Sequence, residues 1–356
     1  MLEAIREFAL ERLDETGEGE RLRQRHAAYF VELAELAKPA LEAWRSSIWL
    51  DRLEAEHDNI RAVLGDALEH GHGEVALRLA GAAWGFWFAR GYFSEGRRWL
   101  EEALAGGVEG DRLVRFEAVE AAGLLALWQG DIERGSAAAD ELQTLASDTD
   151  PTRARAVAMA AHAASWRDDI DRAAQLYAAS AQLARELGEL RLVSLSLGNL
   201  GNCELERGEY QRAVELFEEN LAIRELQDQE LSSRALINLG FTTLLLGDVQ
   251  RARSLLRDGV TAARELGLMD GFKYGLLEIG MTYAGDDPAR AVRLLGRADV
   301  LCEETGSEVG GIEGRVRRET EADLRASLGE EAFAAAYAEG RALELEDALA
   351  LALGPD

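Results

Sequence analysis

The stretch LGNCELERGEYQRAVELF, residues 200–217, decides the fold, because the chain repeats it 39 residues later as LGFTTLLLGDVQRARSLL, residues 239–256. Both copies read Leu-Gly, six residues, Gly, four residues, Ala, three residues and a large apolar residue. We take the second Gly of this pattern as an anchor. Anchors then recur at spacings of 39, 38, 40, 39 and 39 residues, at Gly91, Gly130, Asp168, Gly208, Gly247 and Asp286. A period between about 20 and 50 residues is typical of a stacked repeat array rather than of one closed core.

Each repeat has the pattern of two amphipathic helices. Around Gly208, apolar residues follow helical spacing before the Gly-Glu turn and again after it. A single hairpin of this kind cannot bury its apolar faces, so its neighbours must complete the burial. Gly inside a helix costs about 1 kcal/mol relative to Ala, and its recurrence at Gly123, Gly201 and Gly240 therefore predicts close approach of the paired helices. We predict an all-α superhelix of about six helix hairpins.

These repeats resemble the tetratricopeptide repeat (TPR) family. The residues that carry the resemblance are Leu200, Gly201, Gly208, Tyr210, Ala213 and Phe217, with a second copy at Leu239, Gly240, Gly247, Ala252 and Leu256. The period is longer than the roughly 34 residues usual for such repeats, so longer helices or connections are expected here. The resemblance implies a TPR-like α–α superhelix, a solenoid of helix hairpins.

A second resemblance covers essentially the whole chain. LEAIREFALERL at 2–13, WLDRLEAEHDNIRAVL at 49–64 and the closing residues 327–353 are similar to the TPR sensor half of bacterial signal-transduction ATPases, the STAND-type transcriptional regulators of the LuxR, MalT and AfsR kind. Those regulators join a P-loop nucleotide-binding domain and a winged helix to a TPR-like array and often end in a DNA-binding helix-turn-helix. The resemblance implies that the chain is a piece of such a protein, with those domains as its intramolecular partners.

The resemblance and the repeat pattern predict four segments. Residues 1–16 are expected to end a winged-helix domain, 17–72 to form N-terminal helices that pack on the array, 73–305 to hold about six TPR-like repeats, and 306–356 to form capping helices. We expect the cap to be a helix pair with Ser327 as an N-cap and Glu330 three residues on. WGFWF at 84–88 has large side chains all around a helix and is expected to be core.

Composition limits the partners of the chain. Its 66 acidic and 39 basic residues give a formal charge of −27, which repels phosphate backbones and argues against direct binding of nucleic acid. No apolar run approaches the roughly 18 residues of a membrane span, and no basic segment followed by an apolar core opens the sequence. We therefore expect a cytoplasmic protein without a membrane partner. Cys203 and Cys302 lie more than two repeats apart, so both are predicted to be reduced.

The sequence offers no catalytic motif. A P-loop requires Gly-Lys-Ser/Thr, whereas the two lysines of this chain, Lys38 and Lys273, follow Ala37 and Phe272. His70 and His72 in EHGHGE supply at most two metal ligands and are interpreted as a solvated loop. His57 is interpreted as a structural helix contact. We expect no enzyme activity, no cofactor and no metal site.

Binding is therefore expected on one helix face. Positions 13, 9, 6 and 2 residues before each anchor share a face of the first helix of each repeat. The TPR resemblance implies that this face lines a concave groove. The candidate groove residues are Trp128, Arg155, His162, Trp166, Asn199, Asn202, Arg234, Asn238 and Lys273.

Two features of this face admit alternatives. Asn202, Asn238 and Lys273 fall on three of five places where some peptide-binding TPR domains clamp a carboxylate, whereas Gly198 and Leu277 occupy the two that need cations. The alternative is that the Asn side chains bridge adjacent helices. Trp128 and Trp166 can offer flat apolar platforms to a sugar, an aromatic group or a peptide; alternatively, each packs under the next helical turn.

Three functions remain open. The first is a sensor module of a signalling ATPase that binds a protein, a peptide or a small-molecule inducer in the groove. The second is a free-standing TPR scaffold or peptide receptor, and the third, an enzyme, has no motif behind it. Three cations on the groove face, Arg155, Arg234 and Lys273, favour an anionic or carboxylate-bearing ligand.

Overall fold

A computed structural model describes residues 18–42, 47–106, 111–223, 229–266, 268–305 and 308–354. Within these ranges the chain forms 18 α-helices and no β-strand, which confirms the all-α fold. The expected winged-helix segment, residues 1–16, lies outside the described residues. The chain divides into two compact units, Met1–Arg167 and Asp168–Asp356.

Unit 1 holds three N-terminal helices followed by the first repeats. Its helices are α1 (Gly19–Glu42), α2 (Ser47–Ala55), α3 (His57–Glu69), α4 (Gly73–Ala89), α5 (Phe93–Ala105), α6 (Arg112–Trp128), α7 (Ile132–Leu145) and α8 (Thr152–Trp166). Helices α4 and α5 form one hairpin, and α6 and α7 form the next. Helix α1 packs on α4, where Phe86 and Trp87 are fully buried, so the core position of WGFWF is confirmed for these two residues.

Unit 2 holds further repeats, followed by three C-terminal helices. Its helices are α9 (Ile170–Leu187), α10 (Leu190–Glu206), α11 (Tyr210–Ala222), α12 (Gln229–Leu245), α13 (Val249–Leu266), α14 (Met269–Thr282), α15 (Pro288–Thr305), α16 (Gly311–Leu328), α17 (Glu330–Arg341) and α18 (Leu345–Leu353). The pairs α10–α11, α12–α13 and α14–α15 are hairpins. One core cluster runs from Phe217 through Leu256 and Leu295 to Leu349.

The anchor glycines end the first helices in a left-handed turn. Gly91, Gly130, Gly208 and Gly247 have φ between 76° and 86°, a conformation that Gly adopts without a Cβ penalty. At Gly130, the amide of Asp131 donates to the carbonyl of Ala126 at 2.9 Å, as in a Schellman cap. The Asp131 carboxylate then accepts from the amide of Arg134 at 3.1 Å and starts the next helix.

The two Asp anchors differ in conformation. Asp168 has φ 62° and replaces glycine in the left-handed turn, but Asp286 lies outside that region. Its carboxylate instead accepts a hydrogen bond from the buried Arg253 at 2.8 Å. The Tyr283 ring lies between the guanidinium groups of Arg253 and Arg290, at 3.9 and 4.0 Å from its centroid. A charged and aromatic stack therefore shapes the last repeat turn.

The expected close approach at the helical glycines is confirmed. A Cβ at Gly201 would lie 2.5 Å from Cε1 of Phe217, and one at Gly240 would lie 2.6 Å from Cγ of Leu256. Both partners lie on the second helix of the same hairpin. The recurrent glycine therefore makes room for the large apolar residue that ends the sequence pattern.

The C-terminal part differs from the expected helix pair, because three helices, α16 to α18, follow the last repeat in the described residues. The prediction of Ser327 as an N-cap is wrong. Helix α16 continues through Ser327, whose hydroxyl donates to the carbonyl of Leu324 at 3.1 Å. The break comes at Gly329, whose φ of 82° and ψ of 156° lie outside the helical region and are accessible to Gly.

Candidate functional site

The predicted groove residues lie on two surfaces, one in each unit. In unit 1 the first helices α4, α6 and α8 touch in succession, and in unit 2 α10, α12 and α14 do the same. We call these surfaces the first-helix faces of the two units. Trp128, Arg155, His162 and Trp166 belong to unit 1, and Asn199, Asn202, Arg234, Asn238 and Lys273 belong to unit 2.

Three aromatic rings form a row across the first-helix face of unit 1. The rings of Phe88 and Trp128 meet edge to face with centroids 5.3 Å apart, and those of Trp128 and Trp166 meet in the same way at 6.1 Å. Trp128 is 55% exposed and Trp166 42% exposed. This exposure favours the open platform over packing under the next turn. We call Phe88, Trp128 and Trp166 the aromatic row.

Sequence reasoning missed Phe88 as a member of the row, because it assigned all of WGFWF to the core. Phe88 is half-buried and lies three residues before its anchor, whereas each Trp lies two residues before its own. Consecutive residues of an α-helix are separated by about 100° around the axis, so Phe88 lies beside the predicted stripe rather than on it, and its ring reaches Trp128 from there. The stripe defined by helical periodicity therefore could not include Phe88, and only the ring contact with Trp128 reveals it.

Arg155 and His162 lie on the same face, but they contribute little net positive charge. The guanidinium of Arg155 donates to the Glu120 carboxylate, with one bond at 3.1 Å, and lies 5.0 Å from the centroid of the Phe116 ring. Packing around its ring lowers the pKa of His162 to about 4, while the charge of Glu120 acts in the opposite direction. The imidazole is therefore neutral near pH 7.

In unit 2, two of the predicted Asn side chains bond to each other. Nδ2 of Asn238 on α12 donates to Oδ1 of Asn202 on α10 at 2.9 Å. The alternative that Asn residues bridge adjacent helices is therefore confirmed for this pair. Asn199 is half-buried on α10, and Arg234 is exposed on α12.

Lys273 is only 4% exposed, and its Nζ lies 4.7 Å from the centroid of the Tyr274 ring. Lys273 therefore gives little support to the expectation that three cations on one stripe make a positive surface potential, because its side chain is buried. That expectation also overstates the charge of Arg155, which Glu120 offsets. These two facts weaken the argument for an anionic ligand.

The sequence also gave no sign that helix α16 lies against the first-helix face of unit 2. Helix α16 touches both α10 and α14, and the amide of Ile312 donates to Oε1 of Glu206 at 3.1 Å. The two residues are 106 positions apart. Periodicity along the chain carries no information about such a contact.

Three carboxyl groups meet where α16 begins: Glu206 of α10, Glu278 of α14 and Glu313 of α16. Glu278 is 2% exposed, and its Oε2 has no hydrogen-bond partner. Burial raises the pKa of Glu278 well above its ordinary value, and the charge of Glu313 raises it further. Burial also raises the pKa of Glu313, as does the charge of Glu206, against a backbone hydrogen bond that lowers it.

His57 and the two cysteines considered in the sequence analysis are buried in the helix packing. His57 is buried between Phe86 and Tyr92, with its Nε2 3.2 Å from the Glu95 carboxylate, so the helix-contact interpretation is confirmed. Cys203 and Cys302 are buried and form no disulfide, and burial raises the pKa of the Cys203 thiol to about 11. In the described part of the chain, no group of three or more His, Cys, Asp or Glu could hold a metal ion. Nor does any helix there have the length and apolarity to cross a membrane.

Comparison with known proteins identifies the repeat type. Residues 193–265, which run from α10 into α13, match the family model of the tetratricopeptide repeat. A Mycobacterium tuberculosis protein named "Putative HTH-type transcriptional regulator" is 29% identical over 198 residues, and a Mycobacterium bovis protein of the same description matches equally. These residues make up 53% of this chain but only 22% of the length of those relatives.

Solved structures share the fold. A Rap protein in complex with competence and sporulation factor superposes with a TM-score of 0.60 and 18% identity over 96% of both chains. Aspartyl phosphate phosphatase F from Bacillus subtilis gives a TM-score of 0.60 at 12% identity, over 95% of this chain and 92% of its own. A STAND protein with a TPR sensor from Pyrococcus horikoshii gives 0.51 at 13% identity, over 86% of this chain and 50% of its own. The chain is a TPR-like superhelix of helix hairpins, a fold suited to protein interaction.

Proposed function

We propose that this chain is the sensor and protein-interaction module of a STAND-type transcriptional regulator of the LuxR, MalT and AfsR kind. Its ligand, an inducer or a partner protein, binds on the first-helix faces. The aromatic row carries the proposal, because adjacent exposed Trp side chains at a repeated helix position are not needed to close the core. The mycobacterial relatives named as HTH-type regulators support the regulatory setting, as does the fold shared with the STAND protein.

The surroundings of the aromatic row indicate the chemistry of the ligand. Arg155 is paired with Glu120, and the pKa of His162 keeps that side chain neutral at pH 7. What remains is a flat apolar platform with polar edges, which suits an aromatic ring, a sugar face or an apolar peptide side chain. A free carboxylate would find no unopposed cation at Arg155. In the proposed regulator, the nucleotide-binding and DNA-binding domains belong to the same protein.

A free-standing peptide receptor is the second candidate. It is favoured by the Rap protein that was solved with its competence and sporulation factor, since that fold matches over 96% of both chains. The coding sequence upstream of this chain distinguishes the regulator from the free-standing receptor. A P-loop domain and a winged helix continuous with residues 1–16 favour the regulator, and an independent start favours the receptor.

A binding screen tests the site itself. The chain is screened by thermal shift against metabolites and apolar peptides, since a ligand that binds only the folded state raises the apparent melting temperature. The shift should be lost in Trp128→Ala and Trp166→Ala and kept in Tyr29→Ala, which removes an aromatic side chain of α1 that is 50% exposed. Equal shifts in all three variants would place the ligand elsewhere and remove the aromatic row from the proposal.

A further inference from the structure

Helix α16 is an unusual element of unit 2, because little of it is buried. Of its 18 residues, Ile312, Gly314 and Leu324 are buried, whereas eight are charged. A helix with so small a buried face gains little from the hydrophobic effect. Its position on the first-helix face must therefore depend on a few specific attachments.

The first attachment is the start of the helix. Ile312 is 1% exposed and joins the core cluster of unit 2, while its amide donates to the Glu206 carboxylate at 3.1 Å. The first amides of a helix have no partner within the helix, and they carry the positive end of its dipole. Glu206 thus binds α16 through a backbone amide, a group that is available at the start of any helix.

The second attachment holds the middle of the helix. Arg317 pairs with Asp299 of α15, with Nη1 and Oδ1 2.5 Å apart, and with Glu321 of α16 at 2.9 Å. This attachment lies on the second helix of the last repeat rather than on the first-helix face. The hydrogen bond that joins α16 to the first-helix face lies in the first turn of α16, while Leu324 near its other end is buried in the core cluster of unit 2.

The same first turn carries an unfavourable contact. Glu313 enters a buried space that already holds Glu278, whose Oε2 has no partner. A buried acceptor without a hydrogen bond is costly, and two carboxyl groups in one site disfavour each other's ionisation. Both effects are relieved when α16 leaves and water reaches Glu278. They are also relieved when a helix takes its place whose residue at the Glu313 position is uncharged or basic and can donate a hydrogen bond to Glu278.

We propose that α16 is an intramolecular occupant of a helix-binding site on the first-helix face of unit 2, and that a helix of a partner protein binds there by displacing it. The fitting partner begins with free backbone amides for Glu206, offers a branched apolar residue where Ile312 sits, and carries a neutral or basic residue in place of Glu313. This inference rests on the proposed interaction role of the module. The first-helix face of unit 2 would bind a helical partner, and the aromatic row of unit 1 would bind a different ligand.

A fluorescent synthetic peptide with the sequence of residues 308–328 tests this assignment, with anisotropy as the readout and the full chain as the receptor. Ile312→Asp in the chain detaches its own α16 and should allow the peptide to bind. The unaltered chain should bind it at least about tenfold more weakly, because a tethered segment competes at high effective concentration. A peptide with Glu313→Gln should bind both chains more tightly, and one with Ile312→Asp should bind neither.

A second variant covers the case in which Ile312→Asp unfolds unit 2. Glu206→Ala removes only the acceptor of the Ile312 amide, and it should lower the hydrogen-exchange protection of residues 312–316 while leaving α15 and α17 protected. The assignment is overturned if α16 keeps its protection in Glu206→Ala, or if a folded Ile312→Asp chain fails to bind the peptide. Ligand binding that depends on Trp128 in unit 1 is measured separately by thermal shift. Failure of the helix-binding assignment can therefore be distinguished from failure of the proposed function.

Discussion

Asn238 on α12 donates its side-chain amide to the side-chain oxygen of Asn202 on α10, across 2.9 Å at an exposed site. The bond joins the first helices of two consecutive repeats. A second Asn bond in the same unit is buried: the Ser194 hydroxyl of α10 donates to Oδ1 of Asn220 on α11. The contributions of an exposed and a buried hydrogen bond to stability can therefore be compared within unit 2.

Asn238→Ala should lower the free energy of unfolding by no more than about 0.5–1.5 kcal/mol, since water replaces an exposed hydrogen bond. Asn220→Ala should cost about 1–3 kcal/mol, because it leaves the buried Ser194 hydroxyl without its acceptor. Urea unfolding followed by circular dichroism measures both variants. Equal losses would mean that the Asn202–Asn238 bond is as structural as the buried one, and would take it out of the candidate surface.

Gly240→Ala should destabilise the chain by about 1–3 kcal/mol, because the new methyl group would overlap Leu256 at 2.6 Å. Gly65 in α3 is the matched control, since a Cβ there meets no atom within 4 Å. Gly65→Ala should stabilise by up to about 1 kcal/mol through helix propensity. Calorimetric melting of both variants decides the matter. A neutral Gly240→Ala would show that the helices can separate at no cost.

Trp166→Ala should cost only about 0.5–1.5 kcal/mol, the contribution of an aromatic pair, because the side chain is already 42% exposed. Trp87→Ala should cost about 3–5 kcal/mol, because the Trp87 side chain of α4 is completely buried. Denaturant midpoints compare the two variants. If Trp166→Ala proves as damaging as Trp87→Ala, the aromatic row is part of the core.

His162 should titrate with a pKa of about 4, as followed by the NMR shift of its ring protons. Because burial lowers the pKa in the folded state, the folded chain prefers the neutral imidazole. The resulting stability is fully present above about pH 6.5 and is lost as the pH falls towards 4. His162→Gln should remove this part of the acid dependence. A His162 resonance that titrates near its ordinary value would contradict the packing described around the ring.

The fold could be predicted from sequence because its decisive feature is local and repeated. Gly201 and Phe217 lie 16 residues apart within one hairpin, and the same pairing of a small with a large residue recurs at Ala161 and Tyr177 and at Gly240 and Leu256. Where tertiary contacts rather than the repeat pattern determine a conformation, the sequence did not predict it. Asp168 and Asp286 occupy the same repeat position, yet only Asp168 adopts the left-handed conformation, whereas the Asp286 carboxylate accepts a hydrogen bond from Arg253, a residue 33 positions earlier.

The candidate site was less predictable for the same reason. Helical periodicity placed Arg155 and Lys273 on the correct helices, but it could not show that Glu120 pairs with the first or that packing buries the second. The attachment of Ile312 to Glu206 spans 106 positions and follows from no repeat. The net charge and the exposure of side chains on a helix face depend on the helices that pack around it. The apolar periodicity of one helix does not specify those neighbours.

The division of the chain at Arg167 has a spectroscopic consequence. All seven Trp residues precede that boundary, from Trp44 to Trp166, so unit 2 contains none. Indole emission therefore reports the state of unit 1 alone, whereas far-ultraviolet ellipticity reports the helices of both units. Recording the two signals in one denaturant titration separates the melting of each unit without any label or truncation, and a single Trp placed in α16 would give unit 2 an optical signal of its own.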